Sequence, residues 1–196
     1  MIETAEHTTR HQESNALPRY TYARACAELP ETNQPCELWE GELTMSPAPS
    51  FFHQEVVLAF YRQLYFWVTR AGLGKVVAAP IDMVLSEHQV TQPDVAYVAQ
   101  ERLAIIQQAI MGPADLVAEV VSLGGRHRDR IEKRDLYEQH GVREYWIIDP
   151  EPGTVDVLFL ESGSYQLVIR GGRGQVAASR LLSGFAVEVD SLWPTA

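Results

Sequence analysis

Residues 116–121 read Leu116-Val117-Ala118-Glu119-Val120-Val121, and residues 141–150 read Gly141-Val142-Arg143-Glu144-Tyr145-Trp146-Ile147-Ile148-Asp149-Pro150. Leu116–Val121 and Tyr145–Ile148 are short apolar runs of the kind that form fully buried strands. Between them, the charged stretch 126–140 places Asp129, Lys133 and Tyr137 four residues apart, on one face of a helix that stops at Gly141. Strand, helix and strand in that order make a crossover unit, the core of an α/β fold.

Outward from this unit the periodicity changes twice. Upstream, Ser50 is a good N-cap, and Phe52, Val56, Val57, Phe60, Leu64, Trp67 and Val68 recur at three- and four-residue spacing. They predict a helix over 51–71, with Gly72 closing it. Residues 75–80, 81–85 and 90–98 read as strands, with a hairpin turn at 86–89. A further helix is expected over 100–110, ended by Gly112-Pro113. Near the start, a short helix follows Thr21 and stops at Pro30, and residues 37–43 fold back on themselves around Gly41. Downstream, 155–160, 165–169 and 187–189 are strands between Gly-rich turns. Residues 1–18 are polar and aperiodic and are expected to be a disordered lead, with 19–196 forming one domain.

The 196 residues, 46% apolar and 21% charged, exclude global disorder. No apolar run approaches a membrane span, and the polar N-terminus predicts no secretory signal. Cys26 and Cys36 are expected to be reduced thiols in a cytoplasmic protein. The net charge of -10 argues against a passive nucleic-acid binder. The excess is uneven: residues 126–146 alone are net basic, with six basic and five acidic groups, Lys133 among them.

Three residues could carry chemistry. Asp94 follows Gln92-Pro93 at the start of a strand. Glu119 is the only charged residue in its apolar run, where a carboxylate is costly unless paired, protonated or metal-bound. Lys133 shares a helix face with Asp129 and Tyr137 that can lean over the end of the Glu119 strand. Two carboxylates and a lysine suit a hard cation such as Mg²⁺ and the charge of a phosphodiester transition state. An internal Glu119–Lys133 ion pair and a turn role for Asp94 explain the same residues without catalysis.

The chain resembles the Uma-type restriction endonuclease family, a branch of the PD-(D/E)XK nuclease superfamily. The matching stretches are residues 37–43, Ser46–Ser50 with His53, Gln92-Pro93-Asp94, 114–122, Asp129–Tyr137 and Gly141–Pro150. Together they span about residues 20–193.

The resemblance implies a restriction-endonuclease-like core: a mixed β-sheet flanked by helices, with extra C-terminal strands. It also implies a Mg²⁺- or Mn²⁺-dependent endonuclease acting on DNA, with Asp94 and Glu119 as metal ligands. The superfamily lysine expected two residues after the glutamate is absent, because Val121 stands there, and its role passes to Lys133 on the next helix. Relatives also differ at Leu123-Gly124-Gly125. Glu37, Glu40 or Glu42 could add a carboxylate, and His53, Asp129 and Tyr137 are further candidates near the site. A homodimer is expected, since duplex DNA offers two symmetric strands. The alternative is a nuclease fold serving as a catalytically silent binding or regulatory module.

Overall fold

The computed structural model describes residues 19–30, 36–122 and 128–194, without the side chains of Arg128 and Asp129. The lead at 1–18 and the loop Leu123-Gly124-Gly125 lie outside the described residues. In chain order the elements are helix α1 (Tyr22–Glu28), β1 (Cys36–Trp39), β2 (Glu42–Met45), α2 (Phe51–Ala71), β3 (Gly74–Ala78), β4 (Met83–Ser86), β5 (Gln89–Thr91), β6 (Val95–Ala99), β7 (Ile110–Met111), β8 (Leu116–Val120), α3 (Lys133–His140), β9 (Glu144–Asp149), β10 (Thr154–Glu161), β11 (Ser164–Gly171), β12 (Val176–Ala178) and β13 (Ala186–Glu188).

The main sheet has six strands in the order β11-β10-β9-β8-β6-β3. Within this sheet only β8 and β9 run parallel, and α3 bridges them. A second sheet has the order β2-β1-β5-β4-β7, and β12 pairs with β13. The fold is therefore mixed α/β, with helices flanking a mixed sheet.

Every residue of β8 is buried. Leu116, Ala118 and Val120 face α2, packed with Val56, Phe60, Leu64 and Val68. Val117 and Val121 face the other way, with Tyr137 of α3 and Tyr145 and Ile147 of β9. By the two-residue alternation of a strand, Glu119 falls on the α3 side.

Local chemistry sets the boundaries. The Ser50 hydroxyl accepts the His53 N–H at 3.2 Å, and Gly72 closes α2 in the left-handed region at φ 65°. The predicted run 90–98 is cut in two at Pro93, which has no N–H to continue a ladder. Its first half pairs in the small sheet and its second in the main sheet, leaving Asp94 at the junction.

The predicted helix over 100–110 does not form as such. A 3-10 turn covers Gln100–Ile105, and Ile110–Met111 pairs with β4. Arg102 reaches Asp115 at 2.9 Å and the Pro113 carbonyl at 2.8 Å, drawing the chain back, and this tertiary pairing overrides helix propensity. The described part of the charged helix begins with a π-helical stretch, Arg128–Glu132, that passes into α3. Strand β12 had no sequence signal.

Arg130 anchors that stretch to the sheet. Its guanidinium donates to Asp149 at 2.9 Å and to Asp156 at 2.9 Å, and Arg170 holds the same Asp156 at 2.6 Å. Burial raises the Asp156 pKa, but the hydrogen bonds and charges of Arg170 and Arg130 outweigh it, so the group sits below the ordinary carboxylate value. A depressed pKa stabilises the fold above the unfolded value of about 3.9 and loses that contribution as pH falls through the folded value. Unfolding free energy measured by urea titration should therefore decline on the acid side of about pH 4. Asp156→Asn should be less stable near neutrality and show a flatter acid limb.

Candidate active site

The site lies where the two sheets meet, at one end of β8. The β6–β8 register pairs Val95 with Ala118, so Asp94 comes opposite Glu119. The Asp94 carboxylate accepts the Val120 N–H at 2.8 Å, which ties it to the residue next to Glu119. From the other side, Glu119 Oε1 accepts from Lys133 Nζ at 2.8 Å and from the Tyr137 hydroxyl at 2.7 Å. Lys133 and Tyr137 are one helical turn apart, so both reach the same oxygen. Lys133 is buried.

A third carboxylate belongs to Glu37 of β1, whose Oε1 is 3.5 Å from Lys133 Nζ. The same oxygen accepts the Gln92 N–H at 3.0 Å, and the Gln92 amide donates to Asp82 at 2.8 Å. Gln92 thus ties the Glu37 side of the small sheet to the Gln92-Pro93-Asp94 junction.

Of the three glutamates near the start, Glu37 reaches the site and Glu40 and Glu42 do not. Glu40 and Gly41 both have positive φ, 50° and 80°, as the two central residues of a type I′ hairpin turn. Glu40 therefore sits exposed at the hairpin tip. Glu42 is exposed on the edge strand β2. Both line a separate hollow of about 380 Å³, together with Trp39, Gln89 and, on the helical side, Glu132 and Asp135. Glu37 is buried beside Leu38 in β1, whereas no residue of β2 is fully buried.

His53 comes from the first turn of α2. Its Nε2 is 2.9 Å from the Val120 carbonyl and 3.4 Å from Asp94 Oδ2. Both facing atoms are acceptors, so the N–H is on Nε2. Nδ1 is buried without a partner among the described residues. Burial lowers the His53 pKa, but the hydrogen bond and charge of Asp94, the Val120 carbonyl and the charge of Glu119 outweigh it and hold it above the ordinary histidine value. Burial, then the charges of Glu119 and Glu37, push the Tyr137 hydroxyl far above the usual tyrosine range, so it stays protonated and donates.

The structure therefore brings together Asp94, Glu119, Lys133, Tyr137 and His53, with Glu37 added. The side chain of Asp129 lies outside the described residues. Among the described residues, no three His, Cys, Asp or Glu side chains are spaced to hold a metal ion. The carboxylates at the β6–β8 end offer oxygen, which suits a hard cation that keeps several waters rather than a closed protein cage, with the His53 imidazole beside them.

The basic stretch is largely consumed internally. Arg130 is held by Asp149 and Asp156, Lys133 by Glu119, and Arg143 lies 3.7 Å from Asp115. No described helix is long and apolar enough to cross a membrane.

The mixed sheet with its single parallel crossover is shared by a solved structure. This is a crystal structure described as a putative nuclease belonging to DUF820, from Anabaena variabilis. It superposes with a TM-score of 0.74 at 19% sequence identity, over 88% of this chain and 96% of that one. The model of the Uma2 family, described as putative restriction endonuclease, matches residues 21–190, and the chain belongs to that family. Comparison with curated proteins gives no match.

Proposed function

We propose that the protein is a metal-dependent endonuclease that hydrolyses phosphodiester bonds in DNA. Asp94 and Glu119 are the ligands of Mg²⁺ or Mn²⁺, and Lys133 is the neighbouring cation. The observation that supports this best is the meeting of Glu119 and Lys133 at 2.8 Å, with Asp94 bonded to the next backbone amide. Asp94 immediately precedes a separate strand, β6, and a bare core ion pair needs no second carboxylate at the same strand end.

A divalent ion held there supplies Lewis acidity toward a phosphate oxygen and lowers the pKa of a bound water. The chain's own groups supply the rest. Lys133 places a positive charge where a scissile phosphate or its attacking water lies. Glu119 and Glu37 hold that ammonium in place. Tyr137 orients Glu119, and His53 orients Asp94 and the Val120 carbonyl. With most described cations of the 126–146 stretch paired internally, non-specific affinity for DNA is weak and its salt dependence modest.

The test is cleavage of plasmid and oligonucleotide DNA with Mg²⁺ or Mn²⁺ by wild type, Asp94→Ala and Lys133→Ala. Cleavage by the wild type and loss in both variants is the expected result. Equal cleavage by all three rejects the assignment. The second reading, a silent nuclease-fold module, is favoured by the lack of a three-ligand cluster among the described residues. It predicts no heat of divalent-metal binding in a calorimetric titration.

A further inference from the structure

The buried face of α2 is accounted for by Val56, Val57, Phe60, Leu64 and Val68. Its opposite face is not polar, as an amphipathic surface helix would have it. Phe51 is 81% exposed, Phe66 68% and Leu58 48%, and Tyr65 is exposed as well. Phe51, Glu55, Leu58, Arg62 and Tyr65 follow one another at alternating four- and three-residue steps, with Phe66 beside them. They form one continuous stripe along the helix. Large exposed aromatics gathered on one stripe mark an interaction surface.

The order of the stripe identifies the occupant. Glu55 and Arg62 have their midpoint at Leu58–Ala59, the centre of the stripe, and Phe51 and Phe66 share the same midpoint. Glu55 makes no ion pair with another described residue, and neither does Arg62. A stripe with an acid on one side of its centre and a base on the other is complementary to its own reversal. A two-fold axis through the centre sets each Glu55 against the Arg62 of the second copy and each Phe51 against the second copy's Phe66.

We infer that the outer face of α2 is a self-association surface, on which two copies of this chain pack antiparallel about a two-fold axis between Leu58 and Ala59. This does not rest on the nuclease reading, because no stripe residue belongs to the proposed site. It does have a geometric consequence for it. With a rise of 1.5 Å per residue, the two His53 positions are offset by about 16 Å along the shared axis.

The test is sedimentation velocity of the full chain over a concentration series, for wild type, Glu55→Arg, Arg62→Glu and the double variant E55R/R62E. Each single change places like charges opposite each other twice in the dimer and should weaken association by about tenfold to a hundredfold. The double variant restores opposite charges and should recover most of the wild-type association. Far-ultraviolet circular dichroism should be unchanged, as both positions lie on the outer face. A wild type that stays monomeric at every concentration overturns the inference. So does a double variant no better than the single changes, or a dimer that none of the variants disturbs.

Discussion

Glu119→Gln should lower the rate of metal-dependent DNA cleavage by about a thousandfold or more, a loss of about 4 kcal/mol of transition-state stabilisation. The substitution keeps the shape of the side chain and keeps a carbonyl oxygen for Lys133 and the Tyr137 hydroxyl. What it removes is the charge. A neutral amide is a poor ligand for a hard cation, so the effect falls on metal affinity and rate together. Lys133 retains Glu37 at 3.5 Å, and the stability cost should be about 1–3 kcal/mol. Initial cleavage rates across a Mg²⁺ series, set beside thermal unfolding of the same preparation, separate the two effects. A variant that unfolds near the wild-type temperature and cleaves at the wild-type rate would exclude Glu119 as a ligand.

The largest stability effect should come from a residue outside the site. Glu144 at the start of β9 is completely buried. Its carboxylate accepts the Trp146 indole N–H at 2.8 Å, the Ser179 hydroxyl at 2.6 Å, and the Arg180 and Leu181 backbone N–H groups at 2.7 and 2.8 Å. Glu144→Ala leaves those donors in a dry interior without an acceptor. The cost should be about 4 kcal/mol or more. At about 2–4 °C per kcal/mol for a chain of this size, Tm should fall by about 10 °C. Glu144→Gln keeps one acceptor for the two backbone donors and should lose about half as much. Differential scanning calorimetry checks both, and equal Tm for Glu144→Ala and wild type would refute the role.

The parts of the fold legible in the sequence are those in which one local signal decides. Helix α2 has its apolar spacing, a serine N-cap and a glycine stop, and it forms where they put it. Strand β8 is apolar but for Glu119, and β8, α3 and β9 follow as a crossover. The signal fails where tertiary partners decide. Nothing local separates the two halves of 90–98, because both have strand composition and only Pro93 marks the change of sheet. Residues 100–110 have the composition of a helix, but Ile110 is claimed by β4. Glu37, Glu40 and Glu42 look alike in sequence, and what divides them is a two-residue turn that sends Glu40 to the tip. Glu144 reads as an ordinary charged residue, because three of its four donors lie 35 to 37 positions downstream.

That separation has a consequence for synthesis. Glu37, His53, Asp94 and Glu119 leave the ribosome in turn, but β8 gains its parallel neighbour β9 only later, and Glu144 is not satisfied until residues 179–181 emerge. A nascent chain truncated before that point carries all four acidic and imidazole groups without the latch that closes the sheet around them. Folding units during translation form from the N-terminus, yet here the closing contact comes last. Chains stalled before residue 179 should therefore be protease-sensitive, with the candidate site left open at its β9 side until residues 179–181 have been made.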